Sequence, residues 1–244
     1  MKSLTLSSQN EKDARGLLVH ELYASSIPKD EVLANLGLYT TPQNLSRILF
    51  FNEIYKKILN KHGVIMEFGC KWGNSLAILS ALRDIYEPRN RHRKIIGFDT
   101  FSGFKGVSEW DKGVSDGDFS TGDYQPTLEK ILDLHQSMDA LPHIKKYEIV
   151  GGDVCETLAD YLAEHDETIV SLAIFDMDIY KPTASALSTL SDGFLPKGSI
   201  MVFDELCDEI FPGETIALDE TFSIGSLEIN RLPITSRMSY VVVP

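Results

Sequence analysis

The chain has 244 residues, a hydrophobic content of 43% and a formal net charge of −13. Its length suits one α/β domain with additional helices, and its composition is that of a globular protein with a sizeable core. The acidic charge argues against binding to nucleic acid or to an anionic membrane, because neutralising phosphates requires Lys and Arg. A small substrate or a cationic cofactor is the favoured partner.

The three cysteines, Cys70, Cys155 and Cys207, are far apart and form no CxxC motif. Neither a disulfide framework nor a zinc knuckle is therefore expected, and a reduced, cytoplasmic setting fits best. The N-terminal stretch turns polar by residues 9–13, too soon for a signal peptide. No apolar stretch elsewhere is long enough to predict a membrane span.

The chain opens with a predicted helical extension over residues 1–62. Apolar residues repeat at helical spacing on both sides of Pro28, which breaks the pattern. Thr41 and Pro42 predict the start of a further helix, with Thr as N-cap and Pro in the first position, running to about Lys61. Its predicted buried face comprises Leu45, Ile48, Leu49, Ile54, Ile58 and Leu59. Whether the extension covers a ligand or supports a homo-oligomer stays open.

From residue 63 onwards, short apolar runs alternate with helical segments, which predicts βαβ units and a parallel sheet. The predicted strands are 64–68, 95–99, 147–150, 170–175 and 199–203, followed by a closing antiparallel pair at 227–232 and 238–243. The predicted helices are 74–86, 156–164 and 182–193. We therefore predict an α/β domain over 63–244, with a Rossmann-like, mostly parallel seven-stranded sheet, helices on both faces and an antiparallel last strand.

Residues 102–126 form a long glycine-rich and acidic stretch without a periodic pattern. A loop of this length in a compact domain is usually functional or mobile. Because it directly follows a predicted strand's carboxyl end, we expect a lid or a substrate-facing role. A solvated insertion is the alternative.

A glycine motif, Glu67-x-Gly69-x-x-x-Gly73, lies between a predicted strand and a predicted helix whose first turn contains Ser75. Glycines there let the backbone approach a ligand closely, and the start of the helix offers free N–H groups. The pattern is not the GxGxxG of dinucleotide sites, so binding of a pyrophosphate is disfavoured.

Three further residues are candidates for contacts with a nucleotide-like cofactor. Asp99 ends the next predicted strand, where a carboxylate can bind the two hydroxyls of a ribose. Asp153 follows a third strand and either meets an adenine amino group or caps the helix that begins near Cys155. Trp72, inside the glycine motif, either stacks on the adenine or packs against the protein.

Two acidic pairs, each following an apolar run, point to the chemistry. They are Asp176 with Asp178, and Asp204 with Glu205. If the two preceding strands are neighbours, the four carboxylates converge at one edge of the sheet. They then repel one another unless a cation, a shared proton or a bound substrate offsets the charge. As alternatives, the second pair caps a helix and Asp176 binds an amino group.

From residue 64 to the C-terminus, the chain resembles the class I S-adenosylmethionine-dependent methyltransferases. Segments 98–104, 176–183 and 203–205 are more narrowly similar to the macrocin O-methyltransferase family. That family methylates deoxysugar hydroxyls on natural products, and its members bind magnesium. The resemblance implies Mg²⁺-assisted transfer of a methyl group from S-adenosylmethionine to a small-molecule hydroxyl, foremost a sugar unit of a secondary metabolite.

The resemblance and the residue chemistry together assign roles. The cofactor-binding residues are predicted to be Glu67, Gly69, Trp72, Gly73, Ser75, Asp99, Thr100, Phe101, Asp153 and Asp176. By position, the resemblance implies that Mg²⁺, or a similar divalent cation, is bound by Asp178, Asp204 and Glu205. Glu205 departs from the family's second Asp by one methylene. Either Asp176 or Asp178 is the catalytic base, and the sequence does not separate base from metal ligand.

The expected partner is a glycosylated or polyhydroxylated small molecule, with no nucleic acid and no membrane, and self-association is left open. Three other functions remain. The first is a metal-independent methyltransferase. The second is a hydroxylase-like relative with a nonheme metal, against which the shortage of well-placed histidines argues. The third is a non-catalytic binding module.

Overall fold

A computed structural model describes residues 7–244. Residues 1–6, on which the expectation about a signal peptide rests in part, lie outside the described residues. The chain divides into two compact units, one up to Arg47 and the other from Ile48 to Pro244. Among the helices that the structure describes, none is long and apolar enough to cross a membrane.

The helical extension contains helix α1, Gln9–Tyr23, and a 3-10 helix, Leu33–Tyr39. Ser8 caps α1 reciprocally with Glu11: its hydroxyl accepts from the Glu11 N–H, and its own N–H donates to the Glu11 carboxylate at 2.7 Å. The predicted break near Pro28 is confirmed, because the residues between these two helices form turns.

Helix α2 spans Pro42–Ile58, and its predicted start is confirmed because the Thr41 hydroxyl accepts from the Asn44 N–H at 3.3 Å. Its predicted buried face is partly wrong. The buried residues are Phe50, Phe51, Ile54, Tyr55 and Ile58. Leu45, Ile48 and Leu49 are instead 48%, 39% and 43% exposed. Helical periodicity identifies an apolar face, but only the C-terminal half of α2 packs into the core.

A seven-stranded sheet organises the second unit. Its strands are β1 Val64–Phe68, β2 Ile95–Asp99, β3 Tyr147–Gly151, β4 Val170–Phe175, β5 Ile200–Phe203, β6 Ile229–Arg231 and β7 Ser239–Val242. They lie in the order β3-β2-β1-β4-β5-β7-β6, with β1 to β5 parallel, β7 antiparallel to β5 and β6 antiparallel to β7. The predicted Rossmann-like sheet with an antiparallel last strand is confirmed.

The remaining helices are α3 Asn74–Tyr86, α4 Gln125–Met138, α5 Val154–Glu164, α6 Tyr180–Ser191, α7 Gly213–Phe222 and a short 3-10 turn, Ile224–Ser226. Helices α4 and α7 were not predicted from the sequence. Helix α4 buries Leu128, Leu132 and Gln136 and follows directly on the long glycine-rich segment, from which it was not separated. Helix α7 begins with the buried Gly213 and Glu214, residues that a hydrophobic pattern does not detect.

Four phenylalanines align the carboxyl ends of the central strands. In the register of the sheet, Phe68 pairs with Phe98 and Phe175, and Phe175 pairs with Phe203. Their rings stack in a row, with centroids 5.1, 5.3 and 5.0 Å apart. Each such pair contributes about 0.5–1.5 kcal/mol beyond burial. The row therefore aligns, at one edge of the sheet, the residues that follow each phenylalanine.

Candidate active site

The site lies at β1, where the order of the strands in the sheet changes direction. Strand β1 has β2 on one side and β4 on the other, so the connections on its two sides run to opposite edges of the sheet. Such a switch point opens a crevice at the carboxyl ends of the strands. The residues that follow the phenylalanine row there include Gly69, Asp99, Asp176 and Asp204.

The glycine motif closes tightly against the ends of β2 and β4. Gly69 has φ +91°, and a Cβ atom there would lie 2.0 Å from the carbonyl oxygen of Asp176. Its N–H donates to the Phe98 carbonyl at 2.9 Å. Gly73 has φ +75° and precedes α3, whose start has no side-chain cap. The first N–H groups of α3 thus receive no side-chain cap from Gly73, and helix starts of this kind can bind a ligand.

Two predicted cofactor contacts are buried beneath this loop. Glu67 is buried in β1, and Ser75 is buried in the first turn of α3. Trp72 is instead half exposed and packs edge-on against Tyr124, with ring centroids 4.7 Å apart. The packing alternative for Trp72 is therefore observed, and its stacking on adenine stays a prediction.

Asp99 joins the glycine loop to the end of β2. One carboxylate oxygen accepts from the Lys71 N–H at 2.7 Å, and the other accepts from the Phe101 N–H at 2.6 Å. Lys71 and Phe101 both have positive φ, 50° and 54°. Non-glycine residues in this conformation are concentrated at functional sites. Thr100 closes the following turn, donating from its hydroxyl to the Gly103 carbonyl at 2.6 Å.

The glycine-rich segment 102–126 is compact up to the start of α4. Gly117 donates to the Phe104 carbonyl, and Phe104 donates to the Asp118 carbonyl. The buried Asp111 carboxylate accepts from the Tyr180 N–H at 2.9 Å, at the first residue of α6. This contact ties the segment to the helix that follows Asp178, and no sequence pattern predicted it.

Asp153 is engaged by its own neighbours. Its carboxylate accepts from the Cys155 N–H at 3.0 Å, as the alternative of a helix cap expected. It also lies 3.2 Å from the Lys105 ammonium. Burial raises the pKa of Asp153, but the hydrogen bond from Cys155 and the Lys105 charge lower it below its ordinary value. Contact with an adenine amino group stays a prediction.

The two acidic pairs follow neighbouring strands, β4 and β5, as the sequence analysis required. Burial raises the pKa of Asp178 to about 7, together with the negative charges of Asp176 and Asp204. Asp178 also has φ +62°, a conformation that is strained for a side chain and is maintained by the surrounding structure. Asp178 is therefore a carboxylate that gains a proton easily near neutral pH.

A further acid, Glu214 at the start of α7, lies beneath this cluster. One of its carboxylate oxygens accepts from the Glu205 N–H at 3.0 Å, and the other is buried without a hydrogen-bond partner. Burial raises the pKa of Glu214 well above its ordinary value, and the aspartates of the cluster raise it further. We call Asp176, Asp178, Asp204, Glu205 and Glu214 the acidic cluster.

Arg237 brings positive charge to the acidic cluster. It lies on the turn between β6 and β7, and its guanidinium pairs with Glu205 and lies 3.4 Å from the Asp204 carboxylate. No sequence motif marks Arg237 or Glu214. Arg237 reaches the cluster because β7 runs antiparallel beside β5, and Glu214 because α7 follows β5.

The acidic cluster fits a hard divalent cation by its chemistry. Its donors are carboxylate oxygens, the ligands that Mg²⁺ prefers, and one buried oxygen of Glu214 has no partner. Within residues 7–244, however, no three Asp, Glu, His or Cys side chains already form a ligand set. Carboxylates of suitable chemistry are therefore present, without a preformed ligand set.

Solved structures with the same architecture are known. The crystal structure of CalS11, calicheamicin methyltransferase, is 36% identical, with a TM-score of 0.94 over 98% of this chain and 94% of that chain. A second structure, of apo CalS11 described as TDP-rhamnose 3′-O-methyltransferase of calicheamicin biosynthesis, is 34% identical, with a TM-score of 0.87 over 99% and 97%.

A more distant likeness is to the O-methyltransferase NovP, which is 19% identical, with a TM-score of 0.59 over 81% of this chain and 79% of that chain. This likeness supports the fold alone. No protein-family model matches the chain, and no curated protein sequence matches it.

Proposed function

The chain belongs to the class I S-adenosylmethionine-dependent O-methyltransferases, and on that premise we propose that it methylates a sugar hydroxyl with assistance from Mg²⁺. The acceptor is a small molecule of secondary metabolism. CalS11 is described as acting on TDP-rhamnose, so a nucleotide-linked deoxysugar is the first acceptor to test.

The observation that carries the proposal is the contact between the glycine loop and the acidic cluster. The backbone of Gly69 touches the Asp176 carbonyl so closely that no side chain fits between them. A cofactor bound over the glycine loop would then lie next to the strand end that carries the carboxylates. An acceptor hydroxyl held by the cluster would then lie within reach of the cofactor's methyl group.

The residues of the cluster divide the remaining work. Asp178, Asp204 and Glu205 would hold the divalent cation, which supplies Lewis acidity that makes a bound hydroxyl more acidic. Either Asp176 or Asp178 is the proposed proton acceptor. Asp176 takes this role if Asp178 holds the cation, and Asp178, whose pKa burial raises to about 7 in the ligand-free chain, takes it if Asp178 does not hold the cation. The hydroxyl oxygen attacks the methyl carbon, the carbon–sulfur bond breaks, and S-adenosylhomocysteine leaves.

We also propose that segment 102–126 faces the acceptor. Asp111 accepts from the first N–H of α6. A Cβ atom on Gly213, at the start of α7, would lie 2.9 Å from an Asp111 carboxylate oxygen. The segment therefore packs against the starts of the two helices that follow the acidic pairs.

A metal-independent methyltransferase is the second candidate, favoured by the positive charge of Arg237 on Asp204 and Glu205. Mass-spectrometric detection of methyl transfer to TDP-rhamnose, with Mg²⁺ and with EDTA, separates the two. We expect transfer with Mg²⁺, its loss in EDTA, and its loss in Asp178→Asn. The matched control is Asp192→Asn, at the exposed end of α6. Undiminished transfer in EDTA would establish the second candidate.

A further inference from the structure

Arg237 holds the two carboxylates that the proposed function assigns to the divalent cation. Its guanidinium pairs with Glu205 and Asp204, whose side chains are only 3% and 13% exposed. Its own side chain is 63% exposed. The positive charge thus approaches buried carboxylates from the solvent side, on a short turn between β6 and β7.

The acidic cluster needs this charge when no other cation is present. Five carboxylates lie together, and the positive groups that act on Asp178 are Arg237 and Lys71. The Lys71 ammonium lies 4.5 Å above the Phe119 ring. Removing the positive partner of a buried carboxylate leaves an uncompensated charge, which is strongly destabilising. Arg237 is therefore the cluster's counter-ion in the ligand-free chain.

A guanidinium and a divalent cation exclude each other on the same carboxylates. Both are positive, and both require the oxygens of Asp204 and Glu205. Since the Arg237 side chain is largely exposed, it can move into water when a cation arrives.

We infer that Arg237 is a displaceable counter-ion that lowers the affinity of the acidic cluster for divalent cations and stabilises the cluster while the cation is absent. The inference rests on the proposed function, because it takes the cluster to be the cation site. It adds a residue that no ligand assignment includes, one that sets the cation concentration at which the site fills.

The test compares cation binding by the full chain and its variants, by calorimetry with Mg²⁺ and by electron paramagnetic resonance with Mn²⁺. In Arg237→Gln we expect the Kd to fall at least about tenfold, because the competing charge is gone. Arg237→Lys keeps the charge but loses the planar guanidinium, so its Kd should lie between that of Arg237→Gln and that of the unmodified chain. Arg231→Gln, an exposed residue at the end of β6, changes the net charge equally and should bind like the unmodified chain.

Thermal unfolding gives an independent readout. Without metal, Arg237→Gln should melt below both the unmodified chain and Arg231→Gln. Mg²⁺ should raise the melting temperature of Arg237→Gln more than that of the unmodified chain, because a cation that binds more tightly stabilises more at equal concentration.

Equal or weaker cation binding by Arg237→Gln would overturn the inference while leaving the cation site intact. If neither the unmodified chain nor Arg237→Gln binds a cation, the inference is also overturned, and Arg237 is then a permanent counter-ion. Methyl transfer that persists in EDTA would separately remove the role of Mg²⁺ from the proposed function.

Discussion

Gly69 and Asp176 are in backbone contact across the crevice: a Cβ atom on Gly69 would lie 2.0 Å from the Asp176 carbonyl oxygen. The Asp176 N–H in turn donates to the Phe68 carbonyl at 2.9 Å. These contacts join the loop expected to hold the cofactor to the strand end that begins the acidic cluster. A structural change in one therefore displaces the other.

Gly69→Ala is expected to disrupt this contact. Its positive φ alone costs about 1–3 kcal/mol, and the collision with Asp176 adds to that cost. The matched control is Gly113→Ala, where φ is +81° but nothing lies within 4 Å of the added Cβ. Urea unfolding should show the larger loss for Gly69→Ala, together with loss of S-adenosylmethionine binding. Equal losses of stability in the two variants would contradict the assigned contact.

Asp99→Asn should weaken cofactor binding. Asparagine has a single acceptor oxygen, so either the Lys71 N–H or the Phe101 N–H loses its partner and the loop loosens. We expect the Kd for S-adenosylmethionine to rise at least about tenfold, or 1.4 kcal/mol, by calorimetry. Asp219→Asn, whose carboxylate accepts a backbone N–H at the end of α7, serves as control. Unchanged affinity in Asp99→Asn would refute the predicted ribose contact.

The stability of the metal-free chain should depend on pH through Asp178. Its pKa is raised from 3.8 to about 7 by burial and by Asp176 and Asp204. The folded chain therefore binds more protons than the unfolded chain between these values, and this group's contribution to stability falls as the pH rises through that window.

Asp178→Asn removes this titration. We compare the free energy of unfolding of the variant with that of the unmodified chain, both in EDTA. The variant minus the unmodified chain should be at least about 1 kcal/mol higher at pH 8 than at pH 4. The difference between the two pH values cancels effects of asparagine on the backbone, which do not depend on pH. The same difference at both pH values would show that the pKa of Asp178 is not raised.

A buried ion network outside the acidic cluster and the glycine loop should affect the stability of the chain but not its activity. Arg83 lies 3.0 Å from Asp139, which also pairs with Lys146, and all three side chains are almost fully buried. Asp139→Asn removes the buried carboxylate that Arg83 and Lys146 share and should cost about 3 kcal/mol or more in denaturant unfolding. Asp84→Asn removes a more exposed partner of the same Arg83 and should cost less than about 1 kcal/mol. A smaller cost for Asp139→Asn than for Asp84→Asn would contradict this ranking.

Much of the fold could be predicted because buried parallel strands are short apolar runs between glycines and polar residues. The bounds of β1, β2, β4 and α3 agree with those predicted. The convergence of Asp176 and Asp204 followed from placing β4 beside β5. Helix α4 was missed because it follows directly on the long glycine-rich segment, and α7 because it buries few apolar side chains.

The residues that complete the acidic cluster could not be found from the sequence. Glu214 is buried because α7 packs beneath the cluster, and a buried glutamate resembles a surface glutamate in the sequence. Arg237 is 33 residues from Asp204 along the chain and meets it through the pairing of β5 with β7. Long-range contacts of this kind are set by tertiary structure, which local patterns do not encode.

Anomalous diffraction from a crystal of the full chain, grown with S-adenosylhomocysteine and Mn²⁺, tests the central claim most directly. The account predicts one strong peak coordinated by Asp178, Asp204 and Glu205, next to the cofactor's sulfur, with the Arg237 side chain turned away into solvent. A cofactor bound over the glycine loop, with no peak at the acidic cluster and Arg237 still paired with Glu205, would contradict it.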